Sequence, residues 1–132
     1  MDKELLYNLF DSYEKYKSLN IRSDFIKHNE VKDKLEFLGN NKLFEIKQIG
    51  ASVERREIFS VKVGKGKTKI LAWSQMHGDE PTATAAIFDL FNFFSANDSF
   101  DELRESIIDN LEIHFIPMVN PDGAERYQRE NA

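Results

Sequence analysis

The stretch Ile70-Leu71-Ala72-Trp73-Ser74-Gln75-Met76-His77-Gly78-Asp79-Glu80-Pro81-Thr82 confines the chain more than any other. Its first four residues are apolar without a break, the mark of a buried strand. Gly78 gives the backbone freedom to turn sharply, and Pro81 suits a first helical position, where its missing N–H costs nothing. Strand, turn and helix therefore follow one another, with His77 and Glu80 at the turn. That order puts Glu80 at the helix N-cap, which Ser, Thr, Asp and Asn fill better. Its carboxylate is expected to serve a purpose other than capping. A neutral imidazole and a carboxylate converging on one point suit a borderline cation such as zinc. The plainer alternative is that His77 only ends a strand and Glu80 only complements the helix dipole. The turn by itself leaves both open.

Composition narrows the choice. The chain has 132 residues, of which 41% are hydrophobic and 31% charged, enough for one folded core in a soluble domain. There is no cysteine, so a metal site must draw on His, Asp and Glu. The net charge is −5 with the cations dispersed, which argues against a nucleic-acid partner. No apolar run reaches the length of a membrane span, and Met1 to Leu19 alternates charged and apolar residues instead of placing a basic segment before an apolar one. The expected location is cytoplasmic.

Along the chain, Leu5, Leu6, Leu9, Phe10, Tyr13 and Tyr16 recur at three and four, predicting an amphipathic helix from Asp2 to Leu19. A second helix is expected from Glu30 to Leu38, capped by Asn29 and ended by Gly39. His28, in a polar connection, reads as a surface residue without a role. Leu43 to Ile49 and Glu57 to Val63 alternate in strand fashion and predict a hairpin. Thr68 to Gln75 should be a central strand covered on both faces. A buried helix is expected from Pro81 to Ala96, and Ser99-Phe100-Asp101-Glu102 reads as a capping box that opens another, with Leu103 and Ile107 facing inward. Leu111 to Val119 forms a further strand, on which His114 shares a face with Glu112 and reads as a packing or edge residue. Asn120-Pro121-Asp122-Gly123 has tight-turn chemistry, the glycine free to take positive φ. Strand, helix, helix, strand implies a crossover between parallel neighbours. Gly66-Lys67-Thr68 is no phosphate loop, because it precedes a strand and lacks the earlier glycine.

Taken together, His77-Gly78-Asp79-Glu80 with the helix behind it, and Ile116-Pro117-Met118-Val119-Asn120-Pro121-Asp122-Gly123 followed by Arg126 and Arg129, resemble the front part of a zinc carboxypeptidase of the M14 family. The two motifs lie about forty residues apart, each preceded by the expected strand, and the pair is more specific than either half. The resemblance implies an α/β fold with a mixed, mostly parallel sheet flanked by helices, the phosphorylase/hydrolase-like carboxypeptidase architecture in truncated form. It covers residues 41–132 and leaves 1–40 as a helical N-terminal extension. By the same resemblance His77 and Glu80 are zinc ligands, and Arg129, rather than Arg126, is the arginine that polarises the scissile carbonyl. The substrate would be a peptide or amino-acid conjugate.

The family completes its site with a substrate-gripping Asn-Arg pair, a third ligand histidine, a tyrosine and a general-base glutamate, and this sequence ends before them. The chain is accordingly expected to be an N-terminal piece, inactive alone, with a mobile or displaced tail from Ala124 to Ala132. Two alternatives remain at this stage. One is an acyl-amino-acid amidohydrolase of the succinylglutamate desuccinylase or aspartoacylase kind, whose first motif is similar. The other is a non-catalytic binding module on the same scaffold.

Overall fold

The computed structural model describes residues 3–18 and 21–131. Its elements are α1 (Lys3–Ser12), continued by a 3-10 turn (Tyr13–Lys15), α2 (His28–Leu38), β1 (Phe44–Ala51), β2 (Glu57–Val63), β3 (Thr68–Trp73), α3 (Thr82–Ser95), α4 (Asp101–Asn110), β4 (Leu111–Ile116) and α5 (Pro121–Arg126). The sheet has the order β1-β2-β4-β3, so it is mixed, as expected. Parallel pairing is confined to β3 and β4, in the register Ile70 with Ile113 and Ala72 with Phe115. The hairpin β1–β2 and the pair β2–β4 are antiparallel. A mostly parallel sheet is therefore not what these four strands form, since β4 lies between an antiparallel and a parallel neighbour.

One face of the sheet carries Phe44, Val61, Val63, Ile113 and Phe115, which join Val31 and Leu35 of α2 and Ile87, Phe88, Phe91 and Phe94 of α3 in one core. Phe91 is its centre, packed edge to face against Phe44, Phe88 and Phe115 with ring centroids 5.4, 5.6 and 5.3 Å away. Fully burying such a ring contributes about 1.5–3 kcal/mol, so the aromatic richness of α3 is core packing. The alternate residues of the strands face away from this core. There Glu45 pairs with Lys47 and Lys62, and Glu112 with Lys69 and His114.

Several expectations are corrected. β3 is an edge strand: among the described residues it pairs only with β4, and Leu71 and Trp73 are 58% and 55% exposed. Its unbroken apolarity fits a covered central strand, but no described element covers its far side. α2 begins at His28, not Glu30, because the Glu30 carboxylate accepts from Lys27 N at 2.8 Å and closes the helix start from inside. His28 is buried, with Nε2 2.8 Å from Glu57 O and its backbone N–H donating to Glu125 at 3.1 Å. It ties α2 to β2 and α5. The start of α4 is held by Asp98 rather than Ser99, the Asp98 carboxylate accepting from Phe100 N at 3.0 Å. Asp2 and Leu19, the ends of the expected first helix, lie outside the described residues, and between them the regular helix stops at Ser12.

Asp98 also fastens the N-terminal segment to α4. It accepts from the Tyr16 hydroxyl and from Arg104, both at 2.6 Å, and Arg104 lies 4.9 Å from the Phe93 ring centroid. The Tyr16 hydrogen bond first, then the Phe100 N–H and the Arg104 guanidinium, hold the Asp98 carboxyl down to about 2 from its ordinary 3.8. A carboxyl depressed in the folded state adds stability above its unfolded value and loses it as pH falls through the folded one. Asp98→Asn is thus expected to cost most above pH 4, and the difference from wild type in urea unfolding should shrink steadily toward pH 2. A difference that stays constant across that window contradicts this account of Asp98.

Candidate active site

The two turns singled out by the sequence meet at the carboxyl ends of β3 and β4. Backbone bonds extend the pairing past the strands: Ser74 N donates to Ile116 O at 3.0 Å, Val119 N to Ser74 O at 3.1 Å and Asn120 N to Gln75 O at 3.1 Å. Asn120 then caps α5, its Oδ1 accepting from Gly123 N at 2.9 Å while Nδ2 donates to Met76 O and to Glu130 O, each at 3.3 Å. Asn120-Pro121-Asp122-Gly123 is therefore a helix start rather than a tight turn, with Pro121 at the first helical position. One side chain joins the first turn, the helix and the tail.

Glycine is required here for a reason other than positive φ. A Cβ on Gly78 would stand 2.0 Å from Gly123 C and 2.3 Å from Ala124 N, and one on Gly123 would meet Asn120 Nδ2 at 2.5 Å and Glu130 O at 2.7 Å. The two turns touch backbone to backbone. The residue that does take positive φ is Gln75, at 48°, a conformation that is uncommon outside glycine. It is held there from both ends of its buried amide. Nε2 donates to Gly78 O at 3.0 Å and Ile26 O at 3.3 Å, and Oε1 accepts from the Thr84 hydroxyl at 2.8 Å. The Ser74 hydroxyl donates to Pro117 O at 2.6 Å, which leaves the Thr84 proton free for Gln75. The polar pair Ser74-Gln75 at the end of an apolar strand was the available sign of this network, and sequence reasoning passed over it.

On this frame His77 stands half-buried at the turn, and Glu80 follows it, exposed, just ahead of the Pro81 cap of α3. Glu80, expected to be the N-cap, lies one residue outside it and is ion-paired with Arg129. Up to Asn131 the tail, expected to be mobile or displaced, is bonded back onto the site: Gln128 N donates to Gly123 O at 3.0 Å, Glu130 O accepts from Asn120, and Tyr127, at φ 50°, packs on Phe25 with centroids 5.4 Å apart. Ala132 lies outside the described residues. Arg126, the alternative arginine, is paired with Glu54 instead. The neighbouring Asp122 is fully buried and accepts from the Ser52 hydroxyl at 2.7 Å, from Glu54 N at 3.1 Å and from Arg56. It locks the β1–β2 loop to α5, and its donors come from a segment too distant in sequence to announce the contact.

The donor chemistry at the first turn fits zinc, with an imidazole and a carboxylate three residues apart. Between them Asp79 Oδ1 is buried without a hydrogen-bond partner among the described residues, an orphan that a cation nearby would stabilise. The number of donors falls short, for no group of three metal-capable side chains gathers among the described residues. His114 does not join this turn, since it pairs with Glu112 at 2.9 Å on β4.

The zinc carboxypeptidase family model matches residues 36–132, and the chain belongs to that family. Carboxypeptidase SOL1 of Arabidopsis thaliana is 24% identical over 136 residues, covering 97% of this chain and 28% of that protein. Carboxypeptidase M of Mus musculus is 30% identical over 88 residues, covering 61% of this chain and 20% of that protein. A metallo-carboxypeptidase structure from Burkholderia cenocepacia superposes with a TM-score of 0.72 at 16% identity, over 82% of this chain and 31% of that one. Carboxypeptidase A of Helicoverpa armigera gives 0.65 at 22% identity, over 98% and 36%. The chain has a carboxypeptidase fold and spans about a third or less of these proteins.

Because Gly78 is met by backbone atoms, and Gly123 by Glu130 O and by the Asn120 amide that is tied down as the cap of α5, overpacking at either position should cost about 1–3 kcal/mol or more. Gly78→Ala and Gly123→Ala are each expected to lose that much in urea unfolding. Losses below about 0.5 kcal/mol, the scale of an ordinary surface substitution, contradict the close approach.

Proposed function

We propose that this chain supplies His77 and Glu80 as zinc ligands, and Arg129 as the catalytic arginine, to a metallocarboxypeptidase site that hydrolyses a C-terminal peptide or isopeptide bond. The observation that carries the reading is the juxtaposition of the His77–Glu80 turn with the Asn120-capped helix that brings Arg129 back to Glu80. Zinc, when bound, supplies Lewis-acid polarisation of a carbonyl. The chain's own residues supply the rest. His77 presents a ring nitrogen and Glu80 a carboxylate oxygen, while Gln75 and Asn120 fix the turn from which both project. Arg129 brings a guanidinium, and one already in place stabilises negative charge that develops on a carbonyl oxygen only in the transition state.

The Asn-Pro-Asp-Gly helix start and the family match favour a peptidase over the acyl-amino-acid amidohydrolases. Two ligands without a third or a general base can capture zinc, but they leave water activation and proton transfer unprovided. The 132-residue chain alone is therefore expected to bind zinc weakly and to release no C-terminal residue from peptides. Loss of an outer-sphere partner already costs about 10–100-fold in metal affinity, so His77→Ala and Glu80→Gln should each weaken zinc binding at least about tenfold in calorimetric titration. Binding that survives His77→Ala refutes the ligand assignment. Zinc-dependent release of amino acids by the chain alone refutes its catalytic incompleteness.

A further inference from the structure

The Arg129–Glu80 pair has a consequence for metal capture. The guanidinium sits on Glu80 Oε1, an oxygen of the carboxylate assigned above to the metal. It is delivered there by its neighbours rather than by its own reach: Gln128 N is bonded to Gly123 O at 3.0 Å and Glu130 O to Asn120 Nδ2 at 3.3 Å. Arg129 is thus held over the turn between two backbone anchors. His77, by contrast, has no side-chain partner among the described residues. Of the two assigned ligands, one stands open and the other is taken by a cation.

From this geometry we infer that Arg129 is a metal-responsive latch: it holds Glu80 while the turn is without metal, and metal binding at His77 and Glu80 displaces it from the carboxylate. The inference rests on the assignment of those two residues as ligands. Competition follows from the chemistry. A guanidinium N–H and a metal ion use the same carboxylate lone pairs, and two cations at one oxygen repel each other. The side chains of Arg129 and Glu80 are 58% and 55% exposed, so the pair is screened and yields readily. Release frees the guanidinium beside the metal, where the proposed reaction needs it. The anchors at Gln128 and Glu130 need not break, because only the side chain of Arg129 has to swing. The turn is thereby neutral-paired at rest and armed by the metal.

The test combines zinc titration with a direct view of the arginine. In the 132-residue chain, Arg129→Gln should bind zinc about two- to fivefold more tightly than wild type, the range expected for removal of a competing exposed ion pair. Zinc should also move the Arg129 side-chain Nε–H resonance of the wild-type chain to the position it has in metal-free Glu80→Gln, where the pair cannot form as a salt bridge. The second readout separates displacement from a mere long-range charge effect, which leaves that resonance near its paired position. Zinc affinity that is unchanged or weaker in Arg129→Gln, or an Arg129 resonance that zinc does not move, overturns the latch while His77-dependent binding leaves the ligand assignment standing. Zinc binding that is absent, or indifferent to His77→Ala, overturns the ligand assignment and the latch with it.

Discussion

Everything at the candidate site depends on the backbone contact between Gly78 and Gly123. Neither position has room for a β-carbon, and the atoms in the way are main-chain atoms of the facing turn or the amide of Asn120. Interiors are packed too densely for a methyl group to be absorbed at such a point. The contact places the end of β3 directly against the start of α5, and only that closeness lets Asn120 reach Met76 O and Glu130 O with one amide. The site is a junction of two turns before it is a set of ligands.

The hydrogen bonds around the junction show how a strained backbone is kept. Gln75 adopts a left-handed conformation that costs of the order of 1–3 kcal/mol for a residue with a β-carbon. Its amide is matched on both sides, by Gly78 O and Ile26 O as acceptors and the Thr84 hydroxyl as donor, so the conformation is over-determined. Moving the turn that carries His77 would therefore mean breaking the buried bonds of the Gln75 amide. Electrostatics act at the rim instead, where Glu80 and Arg129 are exposed and ion-paired.

Much of this was legible in the sequence because the signals were local. The strand-turn-helix around His77, the hairpin and the buried α3 follow from periodicity, proline position and side-chain chemistry, and the pairing of the two motifs from their resemblance to the zinc carboxypeptidase family. Several misreadings have a different origin, for they depended on partners far along the chain. His28 looked idle in a polar loop, yet Glu57 and Glu125 give it a buried place. Gly78 was read as freedom to turn sharply and Gly123 as freedom for positive φ, whereas the role of both is steric and appears only once the turns and the tail are packed. β3 had the composition of a covered strand, and composition cannot say which neighbours a segment of this length provides. The tail was expected to be loose, but Asn120 and Gly123 hold it through bonds to Glu130 and Gln128.

The central claim is that the His77–Glu80 turn and the Asn120–Arg129 segment act as one metal-responsive unit. Mapping backbone amide shifts of the chain during zinc titration tests it most directly. The account predicts perturbations concentrated in two separate stretches, about Gln75 to Glu80 and Asn120 to Glu130, that titrate with a single affinity. Perturbations that cluster instead around His28 and Glu57, or around His114 and Glu112, or that reach only one of the two turns, contradict it.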